Sequence, residues 1–151
     1  MDLTGKRVLV VGSGISGVAA TELLKKQDIE VVLFDGNKNL DVEALKQKSP
    51  VFADVEIILG DLGEAVMDTI DLVVLSPGVP TDLPMVNALR DRQIPIWGEI
   101  ELAYNYAKGR IVAITGTNGK TTTTALTGEI MANYFSDVKV VGNIGIPYTS
   151  L

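Results

Sequence analysis

Short runs of branched apolar residues alternate with stretches of helical spacing along almost the whole chain, and no other feature restricts its fold as much. The runs at 7–11, 31–34, 55–59, 72–75, 94–97, 111–114 and 138–141 are rich in Val, Ile and Leu. Near-continuous apolarity of this length marks strands buried on both faces. Between them, Val18, Leu23 and Leu24 share a helical face, as do Val42 and Leu45, and Met85, Val86 and Leu89. Strands alternating with helices of about 10–15 residues imply right-handed crossovers and a parallel sheet. The expected class is therefore α/β, with a doubly wound sheet.

The spacing also divides the chain. Strands up to Trp97 close a small sheet, which makes 1–97 one unit. A helix is expected from Gly98 to about Tyr106, and Lys108-Gly109 ends it before the next apolar run. The second unit, 98–151, offers two strands and one helix, fewer than the four or so strands such a sheet usually has. We expect it to be the opening of a larger domain, and the less stable part of the chain.

Gly12-Ser13-Gly14-Ile15-Ser16-Gly17 fits G-x-G-x-x-G, directly after one expected strand and directly before a helix. In that setting the first glycine allows the tight turn and the second lets a pyrophosphate approach the backbone. The third lets helix and strand pack closely, and the helix N-terminus turns free N–H groups toward the phosphates. Asp35 ends the next strand, where a carboxylate commonly accepts hydrogen bonds from a ribose or a base. It could equally be a solvated carboxylate at a strand end. The pattern alone suits a dehydrogenase that binds NAD, a nucleotide-sensing regulatory module or an enzyme that binds a UDP-sugar.

A second loop separates these readings. Thr115-Gly116-Thr117-Asn118-Gly119-Lys120-Thr121-Thr122 follows the run at 111–114 and opens a helix expected to reach about Tyr134. Gly-Lys-Thr at such a junction is a P-loop signal. Backbone amides cradle phosphates, Lys120 neutralises β/γ oxygens and the Thr121 hydroxyl reaches Mg²⁺. Ile114 stands where the general pattern has its first glycine, so this is a variant with glycine at 116. The expected fold becomes a Rossmann-like doubly wound sheet followed by the first β-α-β of a P-loop ATPase domain. Glu129 and Asp137 are the acids that follow the loop, and neither ends a later strand. The chain is therefore expected to hold ATP weakly and not to turn it over.

Composition narrows the functional classes. With 19 acidic and 13 basic residues, a net charge of −6, the chain lacks the basic excess of a nucleic-acid binder. Local backbone amides still bind small anions. The absence of cysteine and histidine excludes disulfides, thiolate metal sites and histidine catalysis within these residues. No apolar run approaches the roughly 18–20 residues of a membrane span. Gly12 to Gly14 interrupt the N-terminal apolar run too early for a signal peptide, so a cytoplasmic protein is expected.

The loop Gly116-Thr117-Asn118-Gly119-Lys120-Thr121-Thr122 resembles the P-loop of the Mur ligases, which add amino acids to the peptidoglycan precursor in the bacterial cytoplasm. Its combination with Gly12 to Gly17, Ser76-Pro77-Gly78-Val79-Pro80 and Gly142-Asn143-Ile144-Gly145 resembles one branch, which joins D-glutamate to UDP-N-acetylmuramoyl-L-alanine. The resemblance runs from Lys6 to Pro147, and family members have three domains. It implies that 1–97 binds the UDP part of the substrate and not NAD. Ile15 and Ser16 then match diphosphate contacts; Asp35, Gly36 and Asn37 match the uridine corner; Ser76 and Asn143 match further substrate contacts. From the residues alone, Asn143 reads better as a turn residue between glycines. The resemblance also implies ATP and Mg²⁺, with Lys120 and Thr121 catalytic, a monomer, and the rest of the active site beyond Leu151.

Overall fold

The computed structural model describes residues 2–142 and 144–151, and Asn143 lies outside the described residues. In chain order the elements are β1 (Arg7–Val11), α1 (Ile15–Lys25), β2 (Glu30–Asp35), α2 (Val42–Gln47), a 3₁₀ turn (Pro50–Asp54) and β3 (Glu56–Leu59). There follow α3 (Glu64–Met67), β4 (Leu72–Leu75), α4 (Pro84–Asp91), β5 (Ile96–Gly98), α5 (Glu99–Tyr106), α6 (Lys120–Ala132) and a 3₁₀ turn (Tyr148–Ser150).

The five strands form one parallel sheet in the order β3-β2-β1-β4-β5. Its architecture is the expected doubly wound α/β arrangement. Alternation along each strand divides the apolar residues between two cores. Val8, Val10, Leu33 and Val74 face one way and pack with Ala20 and Leu24 of α1, Phe52, and Leu102 of α5. Leu9, Val11, Val32 and Val73 face the other way and pack with Met67 of α3 and Val86 and Leu89 of α4. The strand order reverses between β1 and β4, and ligands of open α/β sheets bind beyond the carboxyl ends of strands at such a switch.

Two departures from the expected strands have simple causes. The last strand of the sheet begins at Ile96 instead of Ile94, because Pro95 has no N–H to donate and the Ile94 amide turns back to the Leu89 carbonyl. The Pro95 carbonyl still accepts from Val73. The apolar runs at 111–114 and 138–141 are not strands: among the described residues neither pairs with a neighbour. A strand is a pairing, and apolar side chains without a ladder partner do not make one. The helix between them forms as expected, yet none of its residues is buried. By contrast α5, which opens the second unit in the sequence reading, buries Leu102 and Ala103 against the first sheet. No helix among the described residues is long and apolar enough to cross a membrane.

Candidate functional site

The chain turns sharply after β1 because Gly12 has a φ of 99° and donates its amide to the Phe34 carbonyl at 2.7 Å. Beyond β4, the neighbouring strand across the switch, the Ser76 amide donates to the Val11 carbonyl at 3.0 Å. These bonds place the first glycine loop and the Ser76 turn side by side. A Cβ on Gly17 would lie 1.8 Å from the Gly12 carbonyl oxygen, so only glycine lets α1 start so close to β1. Gly14 has open space where a side chain would be.

A cleft of about 400 Å³ lies over this switch. Its floor is Gly12, Ser13, Gly14, Ile15, Ser16 and Asp35, one wall is the turn from Ser76 to Val79, and Gly142, Gly145 and Pro147 return to form the other. Of the sequence-derived candidates, Gly12, Gly14, Ile15, Ser16, Asp35 and Ser76 meet here. Gly17 packs behind the loop, Gly36 does not line the cleft, and Asn143 lies outside the described residues. Ile15, the first residue of α1, is 77% exposed and borders the cleft.

Asp35 also has a task within the protein. One carboxylate oxygen accepts the Ser13 amide at 2.9 Å and the Ser13 hydroxyl at 2.7 Å, and the other accepts the Asn37 amide at 3.0 Å. Partial burial pushes its pKa up, but these bonds and the charge of Lys48 outweigh burial and hold it below the ordinary carboxylate value. Three acceptances leave room for roughly one more donor on a carboxylate. Ser13 is the residue that sequence reasoning passed over, because it occupies a variable place in the glycine motif.

The second loop stands apart from this cleft. Gly119, with a φ of 76°, opens the 13-residue α6 with no side-chain cap, so the first amides of the helix are free for an anion. The Lys120 ammonium donates to the carbonyls of Gly116 at 2.6 Å and Thr117 at 3.2 Å, folded over the loop that it would share with a phosphate. Gly116, Thr117, Asn118, Thr121 and Thr122 are exposed. These features fit a triphosphate. They do not make a magnesium site alone: no cluster of three or more metal-ligating residues occurs among the described residues, and the loop itself contributes the Thr121 hydroxyl.

The family model described as Mur ligase MurD-like, N-terminal domain, matches residues 6–98. A UDP-N-acetylmuramoylalanine–D-glutamate ligase of Lachnoclostridium phytofermentans is 53% identical over 151 residues, covering 100% of this chain and 33% of its own length. The ligase of that name from Lachnospira eligens is 55% identical, covering 99% of this chain and 33% of its own. The chain thus spans about a third of the length of these relatives. Among solved structures, a murein peptide ligase from Psychrobacter arcticus aligns with a TM-score of 0.57 at 21% identity, over 85% of this chain and 26% of that one. A UDP-N-acetylmuramate–alanine ligase from Thermotoga maritima gives 0.53 at 24%, over 84% and 29%. At these identities the structures speak for the fold.

Proposed function

We propose, because this chain belongs to the Mur ligase MurD-like family, that it carries the nucleotide-sugar cleft and the phosphate loop of a ligase that joins D-glutamate to UDP-N-acetylmuramoyl-L-alanine. The observation that carries this reading is the convergence of the glycine loop, the Ser76 turn, and Gly142, Gly145 and Pro147 on one cleft at the strand-order switch. A dehydrogenase or a sensing module would use the first loop but has no need of the second.

In this reading the backbone of Gly12, Gly14, Ile15 and Ser16 faces the substrate diphosphate. Asp35 gives its remaining acceptor capacity to the uridine, with Gly36 beside it, Ser76 approaches from one wall, and Asn143 is a further substrate contact. ATP lies on 116–122. Lys120 leaves the carbonyls of Gly116 and Thr117 to neutralise the transferring phosphoryl group, and Thr121 supplies one oxygen toward the nucleotide's Mg²⁺. The alanyl carboxylate of the sugar attacks the γ-phosphorus, releasing ADP and forming an acyl phosphate. The amine of D-glutamate then attacks that carbonyl, losing a proton and expelling phosphate to leave an amide. The 151 residues themselves are expected to bind and not to turn over, as a monomer in the cytoplasm.

Thermal unfolding with each ligand added separately tests this, since only ligands of the folded state raise the midpoint. UDP-N-acetylmuramoyl-L-alanine should raise it and NADH should not. A shift with NADH alone would replace the ligase reading with a dehydrogenase.

A further inference from the structure

Glu99 is the first residue of α5 and is 3% exposed, whereas Glu101 in the same turn is exposed. A carboxylate is costly to bury unless its oxygens are hydrogen-bonded. Here one oxygen of Glu99 accepts both the amide and the hydroxyl of Thr149, each at 2.8 Å, across 50 positions of sequence. Thr149 is itself 4% exposed and, among the described residues after Ala103, it is the one that is buried.

That burial pattern gives the contact its meaning. The chain leaves the first sheet at α5, carries the phosphate loop and α6 with no buried residue, and returns to a buried position only at Thr149. Pro147, two residues earlier, lines the cleft with Gly145 and Gly142. The Gly142 amide donates to the Ile146 carbonyl at 2.9 Å, and the Ser150 amide to the Pro147 carbonyl at 3.0 Å, so backbone bonds tie Gly142 to Ile146 and Pro147 to Ser150. The 3₁₀ turn Tyr148–Ser150 also packs against α1 and α5, and Thr149 is its buried residue.

We propose that Glu99 is a positioning residue for the cleft, anchoring the wall formed by Gly142, Gly145 and Pro147 over the first glycine loop through Thr149. It touches no substrate. Its effect is on the distance between the two sides of the site, and thus on affinity for the ligand that spans them. The ligand's identity rests on the UDP-sugar reading above, but the anchoring does not.

The test compares the unaltered chain with Thr149→Val, which keeps shape and amide but removes the hydroxyl, and with Thr149→Ser, which restores it. Glu99→Leu removes the acceptor without leaving a buried charge. Hydrogen exchange at 144–151 reads the anchor, calorimetry with UDP-N-acetylmuramoyl-L-alanine reads the cleft, and Trp97 fluorescence checks that the sheet stays folded. Thr149→Val and Glu99→Leu should speed exchange at 144–151 and weaken binding about tenfold, the scale of one lost hydrogen bond. Thr149→Ser should restore both. Unchanged exchange in both altered chains would overturn the anchor, and faster exchange with affinity within about twofold of the original would overturn its positioning role. If the unaltered chain does not bind the UDP-sugar, the functional reading fails, and the exchange comparison still decides whether Glu99 holds the wall.

Discussion

Ser13 gives both its amide and its hydroxyl to a single oxygen of Asp35, at 2.9 and 2.7 Å. The acid at the end of β2 thereby fixes the loop after β1, and the floor of the cleft depends on a charge. An Asp35→Asn chain should still fold, because the amide oxygen accepts in place of one carboxylate oxygen. It should lose about 1–2 kcal/mol, a charged hydrogen bond being worth more than a neutral one. Urea unfolding measures this. A change within about 0.3 kcal/mol would mean that Ser13 finds other partners.

The same contact has a pH signature. The folded pKa of Asp35 is lowered, so its contribution is fully present above the unfolded value of about 3.9. It is lost as pH falls from there through the lower folded value. The stability difference between the original chain and Asp35→Asn should therefore be constant from pH 7 to about 5 and shrink below about pH 4. Denaturant titrations at each pH give the curve, and a difference that grows on acidification would contradict the assignment.

Gly14 and Gly17 should separate under the same substitution. At Gly17 the added methyl meets the Gly12 carbonyl at 1.8 Å, and backbone cannot step aside as a side chain would. Gly17→Ala should cost about 3 kcal/mol or more. Gly14 has a φ of −69° and nothing near its missing Cβ, so Gly14→Ala should be neutral or stabilise by about 0.4–1 kcal/mol. Its methyl enters the cleft, however, and affinity for a diphosphate ligand should fall about tenfold or more. Thermal midpoints and calorimetry on the pair distinguish packing from binding.

Amides of α6 should exchange far faster than those of β1 and β4. Leu126 and Ile130 in α6, and Tyr134 and Phe135 after it, are at least half exposed, and a helix of 13 residues without a buried face is marginal in water. Native-state exchange should show opening of α6 within about 1–2 kcal/mol of zero, while β1 and β4 open only with global unfolding. Equal protection would mean that the helix has packing this account lacks.

That contrast also marks how far the sequence could be read. Near-continuous apolar runs identify β1, β2 and β4, whose central residues are buried on both faces, while β3, the edge strand, shows the same kind of run with Glu56 in it and is only partly buried. The runs at 111–114 and 138–141 look the same, since periodicity records what a segment would bury and not whether a neighbour is there. The first glycine loop was legible from its placement between a strand and a helix, and the Ser76 turn only through the family resemblance. Glu99 was not, because an acid in the first turn of a helix is ordinary on dipole grounds and its partner lies 50 residues away. Asp35 was visible as a strand-end acid, but its hold on Ser13 needed coordinates.

Lys120 supplies the sharpest separation between the two loops. Its ammonium holds the carbonyls of Gly116 and Thr117, and it has no part in the cleft at the first loop. On the proposed ligase reading, Lys120→Ala in the whole protein should lower kcat at least about a hundredfold, since it would remove a charge matched to the transferring phosphoryl group. The affinity for UDP-N-acetylmuramoyl-L-alanine, measured without ATP, should stay within about twofold. Lys120→Arg keeps the charge but not the compact head, and should recover only part of the loss. Steady-state kinetics with calorimetry makes the comparison. If Lys120→Ala weakened sugar binding as much as turnover, the two loops would form one continuous site, and the division of labour between 12–17 and 116–122 would be wrong.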